Sequence, residues 1–103
     1  MNKGKYRSDT TEKELREQIR DLAQFLGWRF YFTWTSMHSP RGMPDLILCR
    51  PPRLIFAELK TDKRKSKLSP EQARWLWELR RVPGVEVYVF RPRQLERIVK
   101  ILR

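Results

Sequence analysis

The chain has 103 residues, a length that suits one compact domain with a core of its own. Hydrophobic residues make up 40% of it, which argues against disorder, and a single cysteine excludes an intrachain disulfide and a multi-cysteine metal site. The chain lacks a long apolar run and begins with polar and basic residues, so we expect no membrane span or signal peptide, and a cytoplasmic protein (of the host cytoplasm if phage-encoded).

The charge is strongly positive: 23 Lys and Arg against 12 Asp and Glu give +11. This surplus favours a polyanionic partner, because each phosphate that a cation neutralises releases counterions. A solubilising surface is the alternative, and charge alone does not exclude it. A membrane surface is less favoured, since the basic residues are scattered and do not form one face of an amphipathic helix. Nucleic acid is therefore the expected partner.

The first predicted element is a helix, which follows a basic N-terminal tail of residues 1–10 that we expect to be flexible. Thr10 or Thr11 can cap this helix, and the glycine after Leu26 ends it. Between these ends, apolar residues recur at helical spacing and form one stripe. The stripe consists of Leu15, Ile19, Leu22, Ala23 and Leu26.

Three strands are predicted next. Alternating aromatic residues over positions 28–35 predict the first strand, and a loop over positions 36–44 follows it. Two short apolar runs, over 45–50 and 54–60, then flank Pro51-Pro52. Their length and the turn between them predict a hairpin.

The second half of the chain predicts a helix, a strand and a last helix. Ser69 is a strong N-cap, because proline follows it and Gln72 can close a capping box. Alternating valines over 85–90 predict a fourth strand, and Pro92 begins the last helix. Residues 11–103 are thus predicted to form a single α/β domain, a mixed sheet flanked by helices in the order α-β-β-β-α-β-α.

Two carboxylates and an amine are predicted to meet at one end of the hairpin. If the hairpin turns symmetrically, Cys49 faces Leu54, and Asp45 faces Glu58. Lys60 then shares their face, because side chains alternate along a strand, although a slip of one residue would undo this register. At about 5 Å and an effective dielectric constant of about 20, two carboxylates repel by roughly 3 kcal/mol. A shared proton, the lysine ammonium or a divalent cation is needed to offset this repulsion.

These residue types suit phosphodiester hydrolysis. Mg²⁺ prefers oxygen ligands and lowers the pKa of water, while an amine can orient that water or stabilise charge on the phosphate. The alternative is a structural sheet end, in which Glu58 pairs with Lys60 and Asp45 caps the preceding loop. Two acids on neighbouring strands, with a lysine two residues further on, favour catalysis over that alternative.

The longer pattern resembles a known nuclease family. Gly42-Met43-Pro44-Asp45 followed by Glu58-Leu59-Lys60 resembles the Pro-Asp…(Asp/Glu)-x-Lys signature of the restriction-endonuclease-like superfamily. The fuller string adds Leu68-Ser69-Pro70-x-Gln72-x-x-Trp75-Leu76 and Val85-x-Val87-Tyr88-Val89-Phe90-Arg91-Pro92. Together these motifs resemble the VRR-NUC (virus-type replication-repair nuclease) family, in the family's order, over nearly the whole chain.

The resemblance implies a restriction-endonuclease-like core that cuts DNA with Mg²⁺ or Mn²⁺. It implies a branched or structured substrate, as for Holliday-junction resolvases, and a homodimer. Asp45 and Glu58 match the family's metal ligands, and Lys60 matches its catalytic lysine. Glu12 matches a further metal ligand in the first helix, although helix N-termini favour acids anyway. Gln72 matches a recurrent glutamine beside the catalytic site, although closing the capping box explains it equally well.

A set of residues flanking the predicted site is expected to contact DNA. It consists of Arg41, Gly42, Lys63, Arg64, Lys65 and Lys67. For the basic run the alternative is a solvated loop, and for Gly42 it is a glycine that only lets the backbone turn.

A second hypothesis belongs to a different class: a non-catalytic module of a phage or repair assembly that binds branched DNA without cutting it. The net charge of +11 supports this hypothesis without any catalysis. The acid pair argues against it, because carboxylates that no metal neutralises repel phosphates.

Overall fold

The computed structural model describes residues 10–33, 42–63 and 66–103. Its elements are α1 (Glu12–Phe25), β1 (Arg29–Phe32), β2 (Leu46–Arg50), β3 (Arg53–Leu59), α2 (Pro70–Arg80), β4 (Val85–Phe90) and, after a 3₁₀ turn (Pro92–Gln94), α3 (Leu95–Leu102). The predicted order of helices and strands is confirmed. The first strand is shorter than predicted, and positions 34 and 35 lie outside the described residues, as does the predicted tail up to position 9. No helix among the described residues has the length and apolarity needed to cross a membrane.

The strands form one mixed sheet in the order β1-β2-β3-β4. The first two pairings are antiparallel and the β3–β4 pairing is parallel, with α2 as the crossover between those two strands. The predicted hairpin register is confirmed: Cys49 faces Leu54, and Leu46 faces Ala57. One step beyond that last pair, Asp45 comes opposite Glu58.

The main core lies between one face of the sheet and the helices α1 and α3. It consists of Leu15, Ile19, Ala23, Trp28, Leu46, Leu48, Ile55, Ala57, Leu59, Phe90, Ile98 and Leu102. The predicted stripe of α1 is confirmed by its three buried members, while Leu22 and Leu26 are partly buried against the same core. A capping box between Thr11 and Glu14 starts α1.

The helix α2 covers part of the second face of the sheet. It lies against β4, and its buried Leu76 is not part of the main core. Glu58 points to this second face, because its neighbours Ala57 and Leu59 point into the main core. The start of α2 is therefore placed over the end of β3.

Candidate active site

The predicted acid pair lies where β2 begins and β3 ends. Asp45 directly precedes β2, and Glu58 is the penultimate residue of β3. The Asp45 Oδ2 atom accepts a hydrogen bond of 2.9 Å from the backbone N–H of Leu59. The Asp45 carboxyl lies close enough to Glu58 to raise the pKa of Glu58, in addition to the larger effect of burial. The antiparallel pairing thus holds two acids side by side.

The main chain that carries Asp45 is tied to β1 by Thr33. The Thr33 N–H donates to the Asp45 carbonyl at 2.8 Å, and the Thr33 hydroxyl donates to the Pro44 carbonyl at 3.1 Å. These bonds fix the backbone just before β2, so the position of the Asp45 carboxylate does not depend on the preceding loop alone.

Glu58 is buried, with a relative exposure of 1%. Its Oε1 atom has no hydrogen-bond partner, and its Oε2 atom accepts a 2.8 Å hydrogen bond from the Gln72 side-chain amide. Burial, followed by the neighbouring Asp45 carboxyl, raises the pKa of Glu58 to about 9. In the metal-free protein at neutral pH, this carboxyl group therefore carries a proton.

Lys60 supplies a positive charge beside the acid pair. Its Nζ atom lies 3.9 Å from the Glu58 Oε2 atom, and its side chain is 14% exposed. This ammonium lowers the pKa of Glu58, against the larger effects of burial and Asp45. The backbone N–H of Lys60 donates to the Phe90 carbonyl at 3.0 Å, which fixes the end of β3 to β4. The sequence predicts these three charged groups on one face, and the structure brings them together.

Gln72 both closes the capping box of α2 and contacts the acid pair. Its side-chain oxygen accepts from the Ser69 N–H at 2.9 Å, and its own N–H donates to the Ser69 hydroxyl at 3.1 Å, which completes the capping box. The other end of the same amide group donates to Glu58. The same side-chain amide therefore caps α2 through its oxygen and contacts the acid pair through its nitrogen.

Glu12 lies in the first turn of α1 and stands apart from the acid pair. Its carboxylate forms an ion pair of 3.3 Å with Arg16, and its side chain is 44% exposed. Burial and then Asp45 raise the pKa of Glu12, while Arg16 and Lys60 lower it, so the group senses the site electrostatically. In residues 10–33, 42–63 and 66–103, no cluster of three or more His, Cys, Asp or Glu side chains is arranged to hold a metal ion.

The acid pair itself suits a divalent cation. Carboxylate oxygens are the ligands that Mg²⁺ prefers, and the Glu58 Oε1 atom is a buried oxygen without a hydrogen bond. A cation between the two groups would also offset the burial and the repulsion by Asp45 that together raise the pKa of Glu58. Asp45 and Glu58 are thus the residues that can hold such an ion.

Three of the residues expected to contact DNA can be located. Lys63 and Lys67 are exposed in the segment after β3, whereas Gly42 lies against the start of α2. The others, Arg41, Arg64 and Lys65, lie outside the described residues.

Sequence reasoning missed the role of Arg91. Its Nη1 atom donates to the Thr61 carbonyl at 2.6 Å and to the Ser66 carbonyl at 3.0 Å, and so joins the two ends of the basic segment that follows β3. A signal existed in the sequence, because Arg91 directly follows the strand parallel to β3. The carboxyl ends of parallel strands meet at the same edge of a sheet.

Comparison with known proteins agrees with the geometry. A sequence model of the VRR-NUC domain family matches residues 6–94. No curated protein matches the chain. A solved structure described as a VRR_NUC domain is similar in fold, with a TM-score of 0.68 and 21% sequence identity, over 86% of this chain and 94% of that chain. Because the family model spans most of the sequence, the chain belongs to the VRR-NUC domain family.

Proposed function

We propose that this protein is a metal-dependent DNA endonuclease that hydrolyses phosphodiester bonds in branched or otherwise structured DNA, as Holliday-junction resolvases do. Membership of the family makes it a nuclease-type domain that acts on DNA. The metal dependence is supported by one observation above all: the Glu58 Oε1 atom is buried without a hydrogen bond, beside a second carboxyl group and the Lys60 ammonium.

In this proposal, Asp45 and Glu58 hold Mg²⁺ or Mn²⁺. A divalent cation supplies a Lewis acid, which polarises a phosphate oxygen and lowers the pKa of a nearby water. Lys60 lies on the same face, where its ammonium orients the attacking water and stabilises the charge that develops on the phosphate. Gln72 holds the Glu58 carboxylate in one orientation through its hydrogen bond. Glu12 is proposed as a further ligand, which becomes available when it leaves Arg16.

The surface supports DNA as the substrate. The net charge of +11 attracts a polyanion, and Lys63 and Lys67 are exposed in the segment directly after the active-site strand.

A homodimer is also proposed. Tyr31 and Trp77 are each 57% exposed, which supports an apolar contact with a second copy. A two-fold dimer would present two active sites to a symmetric junction.

Cleavage assays with purified protein test the proposal. Four-way junctions, flaps and nicked duplexes are incubated with Mn²⁺ or with EDTA, and we expect cleavage only with the metal. Asp45→Asn should abolish cleavage. Asp21→Asn removes the same charge at an exposed position of α1 and should cut like the parent. If the parent cuts none of the substrates, or if Asp45→Asn matches the parent, the proposal fails.

The same assays distinguish a module that only binds DNA. Such a module would bind junctions tightly in EDTA, with strong salt dependence, and binding would survive Glu58→Gln while no product formed. Light scattering of the purified protein measures its mass in solution, and a monomer at the concentrations of the cleavage assay would exclude the proposed dimer.

A further inference from the structure

The turn at Gly42 approaches the first turn of α2 unusually closely. A Cβ atom built on Gly42 would lie 2.6 Å from the Glu71 carbonyl carbon, 2.7 Å from the Glu71 oxygen and 2.8 Å from the Gln72 nitrogen. All three are backbone atoms, which cannot swing aside as the tip of a flexible side chain can. The φ angle of Gly42, +84°, also lies in the left-handed region that favours glycine. Glycine is therefore required here both by space and by conformation.

This contact connects the two acids of the site. Along the chain, Gly42 is three residues before Asp45, whose carbonyl is fixed by the Thr33 N–H. Through space, the peptide group that Gly42 contacts belongs to Gln72, whose side chain donates to Glu58 at 2.8 Å. One close contact thus connects the chain that leads into β2 with the turn of α2 whose side-chain amide contacts β3.

We propose that Gly42 is a positioning residue for the metal site. Its close approach to the Glu71–Gln72 peptide places the Gln72 amide against Glu58 and thereby sets the separation of the two carboxylates. The inference rests on the proposed function, since it gives Gly42 a role toward the metal that function requires. It replaces the sequence-based expectation that Gly42 contacts DNA, and the two roles predict different measurements.

The size of the effect follows from the distances. An alanine at this position would need its Cβ to move from 2.6 Å to ordinary contact at 3.4 Å or more from the Glu71 backbone. This shift is about 0.8 Å. A misplacement of about 1 Å can lower the rate on the order of 100-fold when it reaches the reacting groups. Loss of a group that orients a metal ligand typically lowers the metal affinity by about 10- to 100-fold.

The chain contains two matched controls. Gly27 and Gly84 have φ angles of +81° and +83°, and a Cβ atom on either would meet nothing within 4 Å. Alanine at these positions introduces the same backbone strain as at Gly42 but no close contact. The difference between Gly42→Ala and the two controls therefore isolates the contact with α2.

The first experiment is a calorimetric titration of each metal-free variant with Mn²⁺. We expect Gly42→Ala to bind at least about tenfold more weakly than the parent, while Gly27→Ala and Gly84→Ala keep the parent's affinity. In junction cleavage, Gly42→Ala should lower kcat and leave KM for DNA unchanged. Unchanged Mn²⁺ affinity with a raised KM would show that Gly42 contacts DNA, and would overturn the proposal.

The second experiment removes the connecting group without introducing a clash. Gln72→Ala should itself weaken Mn²⁺ binding, and adding Gly42→Ala in that background should cause little further loss. Parent-like Mn²⁺ affinity of Gln72→Ala would overturn the proposal even if Gly42→Ala folds poorly. Fully additive losses of Mn²⁺ affinity in the double variant would overturn it as well. Failure of the proposed function is distinguishable: a parent that binds Mn²⁺ but cuts no DNA refutes the nuclease and leaves the affinity comparison intact. A parent that binds no Mn²⁺ refutes the proposed function itself.

Discussion

The side chain of Gln72 joins the first turn of α2 to β3, because its amide donates a 2.8 Å hydrogen bond to Glu58. The other Glu58 oxygen is buried without a hydrogen bond. The Gln72 amide and the Lys60 Nζ atom, 3.9 Å away, both stabilise a charged Glu58. Because burial and the neighbouring Asp45 outweigh them, the metal-free site favours the protonated form of Glu58.

The first prediction concerns stability against pH in EDTA. The pKa of Glu58 rises from its ordinary value of 4.5 to about 9 on folding, so between these values the folded protein holds a proton that the unfolded chain releases. Its free energy of unfolding should therefore fall as pH rises through this window. Glu86, whose pKa is lowered by its hydrogen bonds from Arg53, acts in the opposite sense at lower pH.

Urea unfolding at a series of pH values measures this dependence. Glu58→Gln cannot ionise, so its curve should be flatter between pH 5 and 9 and should lie above the parent's curve at the alkaline end, in the range set by the pKa of Glu58. Glu17→Gln, at an exposed position of α1, should retain the fall. Parallel curves for the parent and Glu58→Gln would contradict the prediction.

The second prediction is that Mn²⁺ binding releases a proton. At pH 7 the metal-free Glu58 is protonated, because its pKa is about 9, and it must ionise to coordinate a cation. Titration calorimetry in PIPES and Tris buffers, whose ionisation enthalpies differ, should report about one proton released at pH 7 and fewer as pH approaches that pKa. Equal binding enthalpies in both buffers at pH 7 would rule this out.

The sequence predicts the acid pair because its placement depends on local rules. A short turn between two strands of similar length sets the register, and alternation then puts Asp45, Glu58 and Lys60 on one face. The caps of α1 and α2 are equally local, since each depends on residues three positions apart. These features require no knowledge of how the helices pack on the sheet.

The other contacts of the site depend on that packing. The Gln72–Glu58 hydrogen bond joins residues 14 positions apart, and it exists because α2 crosses from β3 to β4 over the second face of the sheet. The close approach of Gly42 to Glu71 is longer in range still. Glu12 and Arg16 are at helical spacing and can pair in any helix, but the effect of the site on the pKa of Glu12 depends on where packing places Asp45 and Lys60.

The third prediction concerns the end of the sheet opposite the acids. The Arg50 guanidinium donates to the carbonyls of Leu26, Leu102 and Arg103 at 2.9, 3.1 and 3.1 Å. It also lies 4.5 Å from the centroid of the Trp28 ring. A cation at these helix C-termini satisfies carbonyls that have no partner within the helix. Arg50→Met should therefore lower the free energy of unfolding by about 2 kcal/mol.

Denaturant unfolding checks this value, with Arg29→Met as the control at an exposed position of β1. The control should change stability by less than about 0.5 kcal/mol. Arg50→Lys should lose most of the stabilisation, because an ammonium cannot match the planar fork that reaches several carbonyls. Mn²⁺ affinity should stay at the parent's value in each folded variant. Parent-like stability of Arg50→Met would show that solvent replaces the guanidinium without cost.

The fourth prediction concerns DNA affinity. Lys63 lies within the segment that Arg91 closes beside the acid pair, and Lys67 directly follows that segment. Both lysines are exposed, so each is expected to contact one phosphate. Binding of a four-way junction by Asp45→Asn is measured over a range of salt concentrations. Adding Lys63→Ala or Lys67→Ala should weaken binding and reduce the slope of log K against log salt by about 0.9 each. Lys100→Ala removes the same charge from the last turn of α3, at the far end of the sheet, and should leave the slope unchanged. Equal slope changes in all three variants would instead indicate that the charge of the whole protein, and not the segment after β3, determines the affinity.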